Sequence, residues 1–405
     1  MRLDRRRLCV AIALLGVNLP LYALDLGSDT FSISGFGTVG LVHSDYSDGD
    51  FRTDGAVPRG AGRSHDWSFS QMSKVGVQVD AKLSSKWSSS VQVVSEYTYE
   101  GDYTPVITNA FLKYEATPNV ALRAGRMVQP IYMLTDFSRV GYAIPWARPP
   151  IEMYNNYPTY DGMDAVYKFN VWGVALTAQG FAGHSTYKTA SAPGSPVTTI
   201  ESDETLGANL VADIGALTLR VAHNQSKGDF HNSSFDQIFA LYRSLGLNAL
   251  ADQYQPSGKV ASYDTVGVSY DPGSWFMRAE MAKVSWNSTT VLPSSTSGYL
   301  TGGYRTGDFT PYAIYAWNEQ DSPTSIGSAD PLGAINATMA GADSSRHSMS
   351  VGVRWDFKQN MDFKLQLTRV EKDSATSSNG LINRVSGSTV PESYNVIFAG
   401  IDFVF

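Results

Sequence analysis

Arg123 and Arg126 stand three residues apart, just before a stretch rich in proline and aromatic residues that carries Asp136, Arg139, Arg148 and Glu152. A basic wall set against an acidic loop creates a transverse field, which orients polar solutes and penalises apolar ones. In a regular strand Arg123 and Arg126 point to opposite faces. Both therefore line one space only if the strand bulges; otherwise one of them supports the loop from outside. Arg139 and Arg148 have a plainer alternative, pairing with Asp136 and Glu152 to hold the loop itself. Nucleophilic catalysis would need a serine or aspartate beside an oriented histidine. The six histidines (His43, His65, His184, His223, His231 and His347) are scattered, and none sits in such a motif. The single cysteine is Cys9, and no metal-ligand spacing occurs, so no cofactor is expected.

The segments carrying these charges alternate with period two, as half-buried strands do. Met163-Asp164-Ala165-Val166-Tyr167-Lys168-Phe169 has Met, Ala, Tyr and Phe on one face, with Asp and Lys on the other. Residues 349–357 and 363–368 repeat the scheme. About sixteen strands are predicted, from 30–43 to 393–405, including 120–130, 162–169, 173–183 and 205–214. Their connections alternate strictly. Seven are tight, among them Thr117-Pro118-Asn119, Asn170-Val171-Trp172, Gly215-Ala216 and Lys358-Gln359-Asn360. The others are long and polar, near 44–67, 131–161, 184–204, 229–262, 320–345 and 374–392, with shorter ones near 101–107 and 287–297. An even number of antiparallel strands with tight turns at one end and long loops at the other is the pattern of a transmembrane β-barrel. Inside lipid every backbone N–H and C=O needs a protein partner, and a closed sheet provides one without leaving an edge. The fold class is therefore all-β, a single antiparallel barrel over 24–405 with short periplasmic turns and long extracellular loops. Residues 235–251 depart from it, with helical spacing inside a long loop, and are predicted to form a helix on the outer rim.

If the apolar face meets lipid, the opposite face lines the lumen. It carries Asp80, Lys82, Glu96, Lys113, Arg123, Asp164, Lys168, Asp213, Arg220, Arg278, Glu280, Arg354, Asp356, Lys364 and Asp402, eight basic residues against seven acidic. One such Lys or Arg at the bilayer midplane would cost about 2–4 kcal/mol, which argues for the inward assignment. A wall so balanced selects only weakly by sign.

The composition fits this arrangement. The chain has 405 residues, 43% hydrophobic, 12% aromatic and 17% charged, with 36 glycines. That is too aromatic and too sparsely charged for disorder. Residues 1–23 combine Arg2, Arg5, Arg6 and Arg7 with an apolar run from Leu8 to Val17 and a small residue at Ala23, the features of an export signal. Its four arginines and Asp4 take the net charge from −7 to −10 when removed. So acidic a chain disfavours a nucleic-acid partner. A plugged transporter of about 22 strands does not fit this length.

The last strand presents Ile397, Ala399, Ile401, Phe403 and Phe405 on one face. It resembles the ending by which the outer-membrane insertion machinery recognises barrel proteins. Strand count, leader, terminal phenylalanine and the long connection after the fifth strand together resemble a Gram-negative porin over essentially the whole mature chain. More narrowly, Arg123-Ala124-Gly125-Arg126, Ser138-Arg139-Val140-Gly141-Tyr142 and Trp146-Ala147-Arg148-Pro149-Pro150 resemble porin-like proteins near the phosphate-selective porin O/P family. That family's ladder of pore arginines and lysines is not evident here. The resemblance implies a homotrimer in the outer membrane, in contact with the lipid bilayer and lipopolysaccharide. It also implies passive diffusion of small hydrophilic solutes and ions, or alternatively selectivity for phosphate or another anion. A barrel enzyme is the lesser alternative. In porins the third outer loop folds inward, which here would be 131–161, with a constriction built from Arg123, Arg126, Asp136, Arg139, Arg148 and Glu152; the alternative is an extracellular flap held by the same aromatics. Lys113, Asp164, Lys168, Arg220, Arg278, Glu280, Arg354 and Lys364 would line the wall.

Overall fold

A computed structural model of the protein describes residues 24–25, 30–154, 158–190, 194–374, 377, 381–384 and 389–405. The expected leader, 1–23, lies outside the described residues. Among these, sixteen strands form the barrel. The first eight are β1 Phe31–Ser44, β2 Lys74–Lys82, β3 Trp87–Glu96, β4 Val106–Thr117, β5 Val120–Val128, β6 Thr159–Val171, β7 Val174–Thr189 and β8 Thr198–Ile214. The rest are β9 Leu217–His231, β10 Lys259–Tyr270, β11 Trp275–Trp286, β12 Ser295–Tyr304, β13 Phe309–Gln320, β14 Arg346–Lys358, β15 Met361–Lys372 and β16 Ser393–Val404. Each strand pairs antiparallel with the next, and β16 returns to β1. At that seam the rings of Phe403 and Phe405 lie over Gly37 and Gly35, where an added Cβ would come within 2.4 and 2.2 Å of ring atoms. Glycine there lets the terminal aromatics lie flat across the closing strand.

Alternation sorts the two faces as expected. Val77, Leu122, Leu206, Val266, Met281, Leu300, Val351 and Leu367 are exposed on the outside. Their neighbours Asn224, Thr265, Glu280, Thr301, Ser350 and Thr368 are buried on the inside. Aromatic pairs gather at the tight-turn end: Trp87 with Tyr114 (4.6 Å), Tyr270 with Trp275 (5.3 Å) and Phe309 with Trp355 (5.8 Å). Amphipathic rings in this position form an interfacial girdle. All seven predicted tight turns are present, from 83–86 to 359–360. The turn after β6 falls at Trp172 and Gly173, one residue later than expected, because these two adopt positive φ (50° and 83°). That is the geometry of a two-residue hairpin turn.

Two long connections differ from expectation. The segment 184–204 is mostly strand, since β7 and β8 run 16 and 17 residues, β7 ending at Thr189 and β8 starting at Thr198. Crossing lipid takes about 9–11 residues, so this hairpin stands above the bilayer. Its outer face there meets water, and the apolar alternation that marks a strand disappears although its backbone pairing continues. Bulges at Gly183/Ser185 and Ser202/Glu204 break the phase further. The predicted rim helix is two, α1 Ser233–Ser244 and α2 Asn248–Tyr254, divided at Gly246 with φ 79°. The Asn232 side chain caps α1 by accepting from the Ser234 and Phe235 amides. A third helix, α3 Ala334–Ala342, comes from another loop and shares a core with them through Phe239, Tyr242, Tyr254, Ile335 and Met339.

Candidate functional site

The connection between β5 and β6 enters the barrel. Leu134, Ile144, Trp146, Met153 and Tyr154 pack on Phe276, Ala282, Tyr299, Tyr312, Ile314 and Ala316, which face inward from β11, β12 and β13. An inner wall facing only water would have no use for such residues; here they are a dock. Burying loop backbone also leaves polar groups that need partners, and the wall supplies them. Trp146 Nε1 donates to Thr301 Oγ1 (3.0 Å), and the Tyr312 hydroxyl accepts from the Ala147 amide (3.0 Å).

Several charges expected to line water serve this dock instead. Arg220 donates to the Ile131 carbonyl (2.7 Å) and to that of Pro130. Glu280 accepts from the Met133 amide (2.8 Å) and from the Tyr154 hydroxyl. Arg354 reaches the Tyr142 and Ile144 carbonyls at 2.7 and 3.2 Å. Lys364, 0% exposed, donates to Gly141 O (2.6 Å) and to Asp402 (2.8 Å). Arg278 packs over the Trp146 ring at 5.6 Å. These five point inward, as their strand parity requires, but the loop lies between them and the lumen water, or on them. Lys113 and Lys168 stay nearer the turn end of the barrel, Lys113 beside Glu115 at 2.8 Å and Lys168 exposed.

The constriction candidates separate. Arg123 faces inward and pairs with Asp164, its Nε donating at 2.9 Å. Asp136 is exposed, and its field reaches Arg123 and Arg220. Arg126 pairs with Asp161, its cross-strand neighbour on β6, at 2.6 Å, and both border a cavity between the loop and β2–β7 rather than the space in front of Arg123. Arg139 pairs with Glu96 at 2.9 Å, not with Asp136. Glu152, 3% exposed, lies 3.7 Å from Arg346, so it does not confront Arg123 or Arg126. The reason is loop direction. The chain has already crossed to the β13–β14 side of the barrel by residue 147, and Glu152 is delivered there.

On the opposite side, between the loop and β2–β7, a cavity of about 570 Å³ remains. Lys74, Glu96, Arg126, Arg139, Arg148, Asp161 and His184 line it, as do Asp54 and Lys188. The connection after β1 covers it: the Thr189 hydroxyl donates to Gly55 O (3.2 Å), and the Ala190 amide donates to Ala56 O (3.0 Å). Residues 53–57 thus reach from β1 to the tip of β7, which is not its neighbour in the sheet. Behind them, Phe51, Ala61 and Ile382 of a small three-stranded sheet join Val396, Phe398 and Ile151 in one core. Lys74 was not among the sequence candidates. It shares the parity of Asp80 and Lys82 on β2, a signal sufficient to find it.

No protein-family model matches the sequence, and no curated protein matches it significantly. Solved structures do resemble it. An anion-selective porin from Comamonas acidovorans aligns with 93% of this chain and 100% of its own, at TM-score 0.54 and 13% identity. Salmonella typhi OmpF, solved with daunomycin, aligns with 93% of this chain and 97% of its own, at TM-score 0.56 and 12% identity. The fold is that of an outer-membrane porin. The outer membrane channel DcaP of Acinetobacter baumannii is similar over 93% of this chain and 98% of its own, at TM-score 0.53 and 12% identity. At such identities the porin likeness concerns the barrel and not the residues within it.

Proposed function

We propose that the protein is an outer-membrane porin, a passive channel for small hydrophilic solutes and ions. The observation that carries this is the pairing of an outward apolar band with a charged cavity left open beside an inward-folded loop. Lipid stabilises the first, and water occupies the second. The lipid bilayer and lipopolysaccharide are the surroundings that the band and the polar strand tops fit, and the Phe403–Phe405 ending fits capture by the insertion machinery. A homotrimer accords with the porin architecture. Two histidine–aspartate contacts, His223 with Asp264 at 2.6 Å and His347 with Asp373 at 2.5 Å, lie on the outer face away from the cavity, while His184 borders it 3.9 Å from Asp161.

A second reading, an anion-preferring channel akin to phosphate-selective porins, is favoured by the cavity itself. It is lined by five Lys and Arg residues (Lys74, Arg126, Arg139, Arg148 and Lys188) against the three carboxylates Asp54, Glu96 and Asp161. Purified, refolded protein should open stable conducting steps in planar bilayers. Absence of conductance, accompanied by lipid or peptide hydrolysis, would replace the channel reading with an enzymatic one.

A further inference from the structure

We propose that Lys74 and Arg148 form a binding site for a small oxyanion, a carboxylate or phosphate group, inside the cavity. The proposal rests on the channel reading and names the solute class that the cavity favours. Of the other cations that line the cavity two are paired with carboxylates, and Lys188 lies over the Tyr99 ring at 5.9 Å. Arg139 holds Glu96 at 2.9 Å, Arg126 holds Asp161 at 2.6 Å, and the Asp54 carboxylate accepts from the Ala56 amide at 2.7 Å. Lys74 and Arg148 are not matched. Among the described residues neither forms an ion pair, and Lys74 has no hydrogen-bond acceptor. Arg148 is only 9% exposed and makes one hydrogen bond, from Nη2 to Thr53 O at 2.9 Å. Its Nε is buried without a partner.

Lys74 and Arg148 border the same cavity, and of the charges that act on the Lys74 ammonium the repelling Arg148 is the strongest, ahead of Glu96, its cross-strand neighbour, and Asp402. A guanidinium edge and an ammonium offer several N–H donors to one acceptor group, and donors of this charge bind anionic oxygens about twice as strongly as neutral ones. A neutral solute could accept the same hydrogen bonds but would leave the repulsion in place. An oxyanion with two or more oxygens bridges both donors and cancels it. Carboxylate and phosphate share this chemistry, and the cavity has room for either with its water.

The test is chloride current through single channels in potassium chloride, with inorganic phosphate or succinate added. Both should reduce the current, and Lys74→Gln should raise the half-blocking concentration about tenfold or more, with Arg148→Gln doing the same. Block by only one of the two anions supports the site and identifies its ligand. A conducting channel that neither anion blocks, or whose block is unchanged by Lys74→Gln, overturns the site and leaves the channel reading standing. A protein that never conducts overturns the channel reading itself. If Arg148→Gln fails to fold, by loss of the heat-modifiable gel shift, Lys74→Gln on the strand decides alone.

Discussion

The two halves of the barrel interior carry the same kinds of charge and use them differently. On β9–β16, Arg220, Glu280 and Lys364 are buried beneath the inward loop and Arg354 is half-buried there, and all four hydrogen-bond its backbone. On β2–β7, Lys74, Glu96 and Asp161 face an open cavity, together with Arg139 and Arg148 of the loop itself. Strand parity is identical in both halves. The docked half therefore sets where the loop lies, and the open half leaves its charges facing the cavity.

The largest effect should come from the docked half. Lys364→Met removes the cation between Asp362 (3.4 Å) and Asp402 (2.8 Å), leaving Asp402 without a cation and Asp362 with Arg354 alone at 3.2 Å. Losing one partner of such a cluster costs about 3–5 kcal/mol. Urea unfolding followed by gel shift should show the loss, and conductance should rise as the loop comes free at Gly141. Unchanged stability would mean that Lys364 is not an anchor, and the contrast between the halves would fail.

A smaller effect should come from the open half. Arg139→Gln removes the ion-pair partner of Glu96 and leaves it only Lys74 across the ladder, with a stability loss below about 2 kcal/mol. Reversal potentials in a salt gradient should move toward cations. A large stability loss with no change in reversal potential would make Arg139 another anchor.

The smallest effect should lie outside both halves, at the periplasmic turns. There the Arg305 guanidinium bonds the Asp271 carboxylate at 2.7 Å and holds its carboxyl below the usual range. A depressed carboxylate adds stability above its unfolded value, near pH 4, and loses it as pH falls through the lower folded value. Both side chains are more than a third exposed, so salt screening keeps the contribution to about 0–1 kcal/mol. Asp271→Asn should differ slightly from the parent at pH 7 and not at all at pH 2. A difference that persisted in acid would have another origin.

How far the sequence could be read follows from what alternation encodes. Met163 to Phe169 revealed both faces of β6 because one met lipid and the other did not. Thr198 to Glu204 did not reveal the top of β8, because above the bilayer both faces are polar. The helix at 334–342 passed unseen for a related reason: its apolar side is completed by Phe239, Tyr242 and Tyr254 from another loop. At the site, Arg123 was placed with Asp136 and Glu152 by proximity in the chain, whereas its partner Asp164 lies directly across the sheet. That pairing needs the register of β5 on β6, which follows from neither segment alone.

Taken by itself, the sequence determined the class of the fold, the direction in which each strand residue points, and the end at which the chain turns tightly. These are local consequences of a two-residue repeat, of turn residues such as Gly173, and of the cost of charge in lipid. Only the tertiary structure decided which inward residues meet water. Tyr299, Tyr312 and Ile314 share the inward parity of Thr301 and Thr310, and it is Trp146 and Tyr154, laid on them, that take them out of water. A side chain's direction belongs to its own strand, but its burial depends on a loop that arrives from another part of the chain.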